Sequence, residues 1–350
     1  MNYLFLHCRS GFEKECAAEI TEMAGAVGIY GYSKVKDNSA YVLFVTQEED
    51  GAMRLHKELR FRQFIFIRQW FVTQPPVTDL PVTDRVSPLL LMAEAYPVAH
   101  ELVVETVDTN DGKELSGLCK KFTAPFSQAL RRKKLLIDKS QWNLHLVFIS
   151  GTEAYLGVSL INNSSAWPMG ISRLRLPKDA PSRSTLKLEE AWHHFIPAVE
   201  WDQRLGCSML AVDLGSSPGG WTWQLVQRGM FVEAVDNGPM DQKLMDTGQV
   251  IHRLADGFIF EPKKNVDWLV CDIVDKPARV SALIIKWVSK GFCREAVFNL
   301  KLPMKQRYLE VKKCEQRILS ELESLGFRVS VQFKQLYHDR EEVTGHLRVY

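Results

Sequence analysis

Met209–Trp221 reads MLAVDLGSSPGGW. An apolar run closes on Asp213, and in the loop that follows Gly215, Gly219 and Gly220 surround Pro218. Apolar residues then return at helical spacing at Trp221, Leu225 and Val226. The pattern predicts a strand, a tight glycine-rich turn and a helix N-terminus, the arrangement that holds a nucleoside-bearing ligand at the carboxyl edge of a parallel sheet. Glycine lets the backbone approach a ligand closely and tolerates positive φ without steric cost. The spacing is not G-x-G-x-x-G, and no Lys-Ser/Thr pair follows. A dinucleotide and a nucleoside triphosphate are both disfavoured.

From Ser184 onward strand-like and helix-like segments alternate, which implies a parallel sheet. The expected strands are Met209–Asp213, Met230–Asp236, Val250–Ala255, Trp268–Asp272 and Ala296–Leu300. Arg328–Lys334 and Val343–Tyr350 add an antiparallel pair, and together these outline the Rossmann-like methyltransferase fold. Ligands of open α/β sheets sit at the carboxyl ends of the strands. There the chain has Asp213, then Asp236 about twenty residues on, where an acid accepts from ribose hydroxyls, then Asp256 and Asp272. One Asp after a strand is most often a helix N-cap. Four at successive strand ends, beside a glycine-rich loop, favour a cationic, hydroxyl-rich ligand. S-adenosylmethionine, with its ribose diol, adenine and sulfonium, fits that description.

The chain has 350 residues, 46% hydrophobic and 25% charged, with a net charge of +2. That is the composition of a soluble protein with room for two or three domains. So small a net charge means that any electrostatic footprint is local. Cys8, Cys16, Cys119, Cys207, Cys271, Cys293 and Cys314 are scattered, odd in number and without a C-x-x-C pair, which argues against a disulfide framework and a thiolate metal site. The N-terminus has no basic region before its apolar start and no small-residue cleavage site. No apolar run approaches the roughly 18 residues of a membrane span. A cytoplasmic location is expected.

Upstream, residues 2–8 read as strand and 11–25 as helix. Val27–Val35 and Ala40–Val45 read as strands around Lys36-Asp37-Asn38, a helix spans Glu48–Leu59, and Phe61–Phe71 is expected to be strand. The order β-α-β-β-α-β is that of a ferredoxin-like unit. Pro75, Pro76 and Pro81 mark a linker. Val98–Val107 then reads as strand, Gly117–Lys134 as helix, and Leu144–Ser150 with Ala154–Leu160 as a hairpin. Residues 162–183, dense in Asn, Ser, Pro and Gly, form a second boundary.

Lys301, in NLKLP (Asn299–Pro303), closes an apolar strand. Lys187 lies in SRSTLKLEE (Ser182–Glu190), which reads as a helix start with Ser184 as N-cap. A lysine in the first helical turn opposes the macrodipole, and such a local misfit points to function. Asp339, Glu341 and Glu342 put carboxylates at the start of the last strand. DLGSSPGGW, the CD of the fourth strand, NLK of the fifth and EEVT before the last resemble the RNA ribose 2'-O-methyltransferases with a Lys-Asp-Lys-Glu tetrad. With PSRSTLKLEEA, VDNGPM, KQLYHDREEVT, GFEKECAAEI and RQWF, the resemblance narrows to the large-subunit ribosomal RNA ribose methyltransferase M family and covers essentially the whole chain.

The resemblance implies a tetrad of Lys187, Asp272, Lys301 and Glu342, with Lys301 as proton acceptor; Glu341 is adjacent and chemically equivalent. It implies S-adenosylmethionine contacts at Ser184, Ser217, Pro218, Gly219, Gly220, Asp236, Asp256 and Asp272, and no metal. Ser217 stands where the family leads one to expect cysteine, a change of little weight for a backbone contact. The chain reaches Tyr350 without the basic tail the family leads one to expect. The fold expected is α/β: a ferredoxin-like domain (1–74), a THUMP-like RNA-binding domain (82–161), a linker (162–183) and a Rossmann-like methyltransferase domain (184–350).

The reaction implied is attack of a ribose 2'-oxygen on the sulfonium methyl. A ribose hydroxyl is a weak acid and needs a partner to take its proton. The substrate implied is a cytidine of bacterial 23S ribosomal RNA, met before the subunit is fully assembled, by a monomeric enzyme. Lys120, Lys121, Arg131, Arg132, Lys133 and Lys134 form a basic strip able to neutralise phosphates. Arg60, Arg62 and Arg68 interleave with Phe61, Phe64, Phe66 and Trp70, a pattern more typical of a buried sheet face. Two rival readings are an NAD-dependent oxidoreductase and an RNA-binding protein with a relic cofactor fold. The missing G-x-G-x-x-G opposes the first and the intact tetrad the second.

Overall fold

Glu19, near the middle of the first helix, shows how the N-terminal half departs from its sequence pattern. In the computed structural model, which describes residues 1–350, its buried carboxylate accepts hydrogen bonds from the backbone N–H groups of Ile65, Phe66 and Ile67. Those donors are therefore lost to any sheet ladder. Phe61–Phe71 is accordingly not one strand: Phe61–Gln63 forms a 3-10 turn and the strand begins only at Gln69.

The chain divides into two compact units, Met1–Ile171 and Ser172–Tyr350. The first comprises β1 (Tyr3–His7), α1 (Glu13–Ala26), β2 (Gly31–Val35), β3 (Tyr41–Thr46), α2 (Gly51–Glu58), β4 (Gln69–Thr73), α3 (Val86–Ala93), β5 (Glu101–Thr106), α4 (Asn110–Arg132), β6 (Trp142–Phe148) and β7 (Ala154–Leu160). The βαββαβ order through β4 is the ferredoxin-like one. One sheet runs β2-β3-β1-β4-β7-β6-β5, because Val72 and Thr73 pair antiparallel with Val158 and Gly157. Gly157 is needed there, since a Cβ would strike the Val72 carbonyl.

The helix α3 is absent from the expected elements; Asp84 Oδ1 starts it by accepting from Ser87 N at 3.1 Å. The helix α4 begins seven residues before its expected start, at Asn110 rather than Gly117, because Thr109 Oγ1 accepts from Gly112 N at 3.0 Å and caps it. Its apolar face, with Phe122, Phe126 and Leu130, is buried against Leu144, Leu146 and Phe148. Lys120, Lys121, Arg131, Arg132, Lys133 and Lys134 are exposed. Phe61, Phe64, Phe66 and Trp70 are core residues, while Arg60 and Arg62 are exposed. Arg68 is buried and pairs with Asp108 at 3.3 Å.

The second unit comprises α5 (Thr185–Phe195), α6 (Trp201–Arg204), β8 (Leu210–Leu214), α7 (Gly220–Gln227), β9 (Phe231–Val235), α8 (Gln242–Met245), β10 (Val250–Arg253), β11 (Val266–Cys271), α9 (Pro277–Ser289), β12 (Cys293–Lys301), α10 (Arg307–Ser324), β13 (Val329–Lys334) and β14 (Glu342–Val349). Its sheet runs β10-β9-β8-β11-β12-β14-β13. The first five strands are parallel, and β14 lies antiparallel between β12 and β13. Central strands such as β8 and β11 are mostly apolar, Asp213 and Asp267 apart, because both faces are covered. The order reverses at β8, which is where such sheets open a ligand crevice. No helix is long and apolar enough to cross a membrane.

Within the first unit, Glu105 is fully buried between His145 (Nδ1 at 3.0 Å) and His7 (Nε2 at 3.7 Å), and it accepts from the Met169 N–H. His145 Nε2 in turn meets Ser159 Oγ at 2.8 Å. This Ser-His-Glu row is sealed from solvent, so it is structural rather than hydrolytic. Burial works to raise the Glu105 pKa, but His145 and His7 outweigh it and hold the carboxyl far below the usual range. Removing one member of a buried charged cluster strands the others. Glu105→Ala should therefore destabilise the first unit by about 3 kcal/mol in urea unfolding.

Candidate active site

The turn after β8 is built by glycine where nothing else fits. Gly219 has φ +118 and sits at the N-cap of α7, in the left-handed region that side chains avoid. At Gly215 (φ +79) a Cβ would lie 2.9 Å from Ile273 Cγ1, so β8 and the segment after β11 could not approach so closely. The turn is tied to β9 by Asp236, which follows that strand. Its Oδ2 accepts from Ser217 N at 3.0 Å and its Oδ1 from Gly238 N at 2.7 Å. Asp256 is fixed in the same way, with Oδ1 accepting from Phe258 N at 2.8 Å.

These strand ends enclose a cleft of about 510 Å³ lined by Ser184, Gly215, Ser217, Asp236, Asn237, Asp256, Gly257, Phe258, Asp272, Ile273 and Val274, among others. It therefore gathers Ser184, Ser217, Asp236, Asp256 and Asp272 from the residues singled out in the sequence. Pro218, Gly219 and Gly220 do not line it. A Cβ on Gly219 would press on Leu244 and Met240, and one on Gly220 would fill the space of the Ser182 and Ser184 hydroxyls, so these glycines serve packing. Asn237, Phe258 and Val274 were not anticipated: they flank the strand-end acids but carry no chemistry distinctive in sequence.

Ser184 is not a side-chain N-cap. It already has helical backbone angles (φ −61, ψ −21), and its hydroxyl meets Ser182 Oγ at 2.6 Å.

A second cluster adjoins the cleft. In the antiparallel register of β12 and β14, the last residue of one strand, Lys301, faces the first of the other, Glu342. Lys301 Nζ lies 3.0 Å from Glu342 Oε2, and Lys187 Nζ, from the start of α5, lies 2.5 Å from Glu342 Oε1. Lys187 Nζ is also 3.7 Å from Asp272 Oδ2. These carboxylates answer the unfavourable placement of Lys187 near a helix N-terminus. Glu341 points elsewhere, its Oε2 accepting from Arg307 Nη2 at 2.8 Å, as alternation along an extended chain requires.

Burial works to lower the Lys187 pKa, but Asp272, Glu342 and Asp339 outweigh it and raise it. Burial likewise works to raise Glu342, yet Lys187 and Lys301 win and lower it. Glu342 is an ionised bridge between two cations. Its side chain is 4% exposed and that of Lys301 27%, the largest value in the cluster. Asn299, a buried residue not singled out in the sequence, donates from Nδ2 to Asp272 Oδ1 at 2.7 Å. Its signal was position: two residues before Lys301 on a strand, it shares the lysine's face.

Comparisons with known proteins agree with this architecture. Residues 1–71 match the RlmM ferredoxin-like domain, 84–160 the N-terminal family of ribosomal RNA large subunit methyltransferase M, and 180–297 the FtsJ-like methyltransferase family. The chain is 70% identical over 350 residues to ribosomal RNA large subunit methyltransferase M of Cellvibrio japonicus (strain Ueda107), covering 100% of both chains. It is 58% identical to the protein of that name from Pseudomonas fluorescens (strain SBW25), over 99% of this chain and 97% of that one. With the Pseudomonas putida (strain GB-1) protein the identity is 57%, over 99% and 98%.

Asp213 lies buried at the end of β8, its Oδ2 accepting from Thr222 Oγ1 at 2.6 Å and its Oδ1 without a partner. Burial, with Asp272 and Asp236 adding, pushes its carboxyl up to about 7 against the Thr222 bond. The folded chain thus holds a proton that the unfolded chain releases near the ordinary value of about 3.9. The resulting stability is complete below that value and is lost as pH rises through about 7. Thermal melting of the wild type should fall across this window by more than that of Asp213→Asn, which cannot ionise. The difference is worth at most about 4 kcal/mol.

Proposed function

The chain belongs to the ribosomal RNA large subunit methyltransferase M family, and from that premise we propose that it transfers a methyl group from S-adenosylmethionine to the ribose 2'-hydroxyl of a cytidine in bacterial 23S ribosomal RNA. One observation carries the reading. Asp272 stands in the wall of the cleft and also beside Lys187, which Glu342 joins to Lys301, so the ligand of the cleft and the lysine pair adjoin through one carboxylate.

The cleft's own chemistry fits the cofactor. Asp236 and Asp256 accept backbone N–H groups and keep further lone pairs for ribose hydroxyls and an adenine amino group. A wall with three carboxylates suits a sulfonium and would repel a polyphosphate. When bound, S-adenosylmethionine supplies an electrophilic methyl group on sulfur.

The tetrad handles the nucleophile. Lys301, the most exposed member, first releases its own proton to solvent; the neutral amine then meets the 2'-hydroxyl, holds it in line and takes its proton as the oxygen attacks. Glu342 holds the resulting ammonium, and Lys187 keeps Glu342 ionised and in place. Developing negative charge on the ribose oxygen is stabilised by the same ammonium. Because Lys187 and Glu342 are largely shielded, little water intervenes.

The N-terminal unit supplies RNA affinity. The exposed basic residues Lys120, Lys121 and Arg131–Lys134 on and after α4 neutralise phosphates, with residues 1–74 and 82–161 acting as ferredoxin-like and THUMP-like RNA-binding regions. The substrate is 23S ribosomal RNA before full subunit assembly, and the enzyme acts as a cytoplasmic monomer.

Lys301→Ala should lower methyl transfer from labelled cofactor to unmodified 23S RNA by about 10²–10⁴-fold. Its Kd for the cofactor, measured by calorimetry, should stay within about twofold of wild type. Loss of cofactor binding instead would refute the role given to Lys301, and mass mapping of the product would identify the nucleotide.

A further inference from the structure

Behind Asp272 a row of polar side chains runs through the apolar interior of the second unit. Asn299 and Thr344 face each other across β12 and β14, and Asp339 lies in the connection just before β14; all three are buried. Asn299 Nδ2 donates to Asp272 Oδ1 at 2.7 Å. Thr344 Oγ1 lies 2.8 Å from Asn299 Oδ1 and 3.1 Å from both oxygens of Asp339. Leu336 N donates to Asp339 Oδ2 at 2.9 Å.

The protons in this row can be counted. Asp272, beside Lys187, can only accept, so Asn299 must turn its NH₂ group toward it; the flipped amide would set two acceptors 2.7 Å apart. Asn299 Oδ1 is therefore the acceptor facing Thr344. A hydroxyl has one proton, and Thr344 spends it on Asn299. Its oxygen is then left to accept from Asp339, which can donate only if protonated. An ionised Asp339 taking the hydroxyl proton would leave Asn299 Oδ1 and Thr344 Oγ1 lone pair to lone pair at 2.8 Å. Since Leu336 N–H occupies Oδ2, the Asp339 proton belongs on Oδ1.

We propose that Asp339 is a neutral carboxylic acid at the head of a one-way hydrogen-bond chain, Asp339 to Thr344 to Asn299 to Asp272, and that this chain positions Asp272 between the cofactor cleft and the lysines. The inference rests on the functional reading given above for Asp272. Asp339 is a positioning residue: it touches neither ligand nor reacting atoms. Its surroundings agree. Burial is the largest influence and raises its pKa well above the ordinary range; Lys187 opposes this, while Glu342 and Glu190 reinforce it. One end of the chain is thus held by a proton and the other by the Lys187 ammonium, which leaves Asp272 Oδ1 a single orientation.

An amide reproduces both ends of the acid, donating to Thr344 and accepting from Leu336 N. Asp339→Ala and Thr344→Val should each lower kcat about tenfold and weaken cofactor binding, because Asp272 also lines the cleft. Asp339→Asn should recover most of the Asp339→Ala loss. With Asp213→Asn as the background, so that the raised carboxyl of Asp213 adds nothing, the C=O band of a protonated acid should appear in the infrared spectrum at neutral pH and vanish when Asp339→Asn is added. That readout needs neither turnover nor the alanine variant to fold. Failure of Asp339→Asn to restore activity, wild-type kinetics in Thr344→Val, or absence of the band would each overturn the proposal. Absence of methyl transfer by the wild-type chain would instead refute the functional reading, and the band would still decide the protonation of Asp339.

Discussion

The antiparallel register that sets Lys301 opposite Glu342 is the constraint on which the active site depends. Because β14 runs against its neighbour, its first residue arrives at the edge where β12 ends. That edge is also where the parallel strands deliver Asp236, Asp256 and Asp272. A slip of one residue would turn every side chain of β14 to the other face. It would replace Glu342 by Glu341, whose carboxylate pairs with Arg307. The alternation of apolar residues along β14 therefore enforces the catalytic geometry at the same time as it builds the core.

Four carboxyl groups near this edge follow two regimes. Asp272 and Glu342 each lie beside at least one lysine, and for Glu342 that attraction exceeds the cost of burial. Asp213 lacks a cation in contact, and burial raises it. Asp339 feels Lys187, but burial and the neighbouring acids Glu342 and Glu190 prevail. Identical functional groups are thereby divided into acceptors and donors by environment alone, the general means by which one site supplies both. The tetrad carries two cations and two anions. Breaking such a buried set is costly, whereas the intact set adds little stability, so its worth lies in fixing positions.

How far the sequence could be read depended on the range of the interaction concerned. The first four strands of the second unit were legible because each is a short apolar run with an Asp at or just after its end, a signal that lies within a few residues. The run Phe61–Phe71 misled because its aromatic, β-branched character is also local, while the carboxylate that claims its N–H groups comes from Glu19, over forty residues away. Ser184 misled in the same fashion, since its hydroxyl is drawn to Ser182 instead of the helix it precedes. Lys187, Asp272, Lys301 and Glu342 each stood out by position, but their grouping as a tetrad came from family resemblance, and Asn299 was passed over although it stands in the same NLK phrase.

By itself the sequence determined the α/β class of the second unit, the glycine-rich turn after its first strand, and the acids at the ends of its first four strands. These follow from periodicity and backbone sterics, which are properties of neighbouring residues. Only the tertiary structure decided that Glu342 rather than Glu341 joins the lysines, that Gly219 and Gly220 are needed for close packing around the turn, and that Asn299, Thr344 and Asp339 stand in a row behind Asp272. The reason is physical: Lys187 and Glu342 are 155 residues apart in the chain, and strand register, burial and the proton count of a hydrogen-bond row exist only once such distant residues have met.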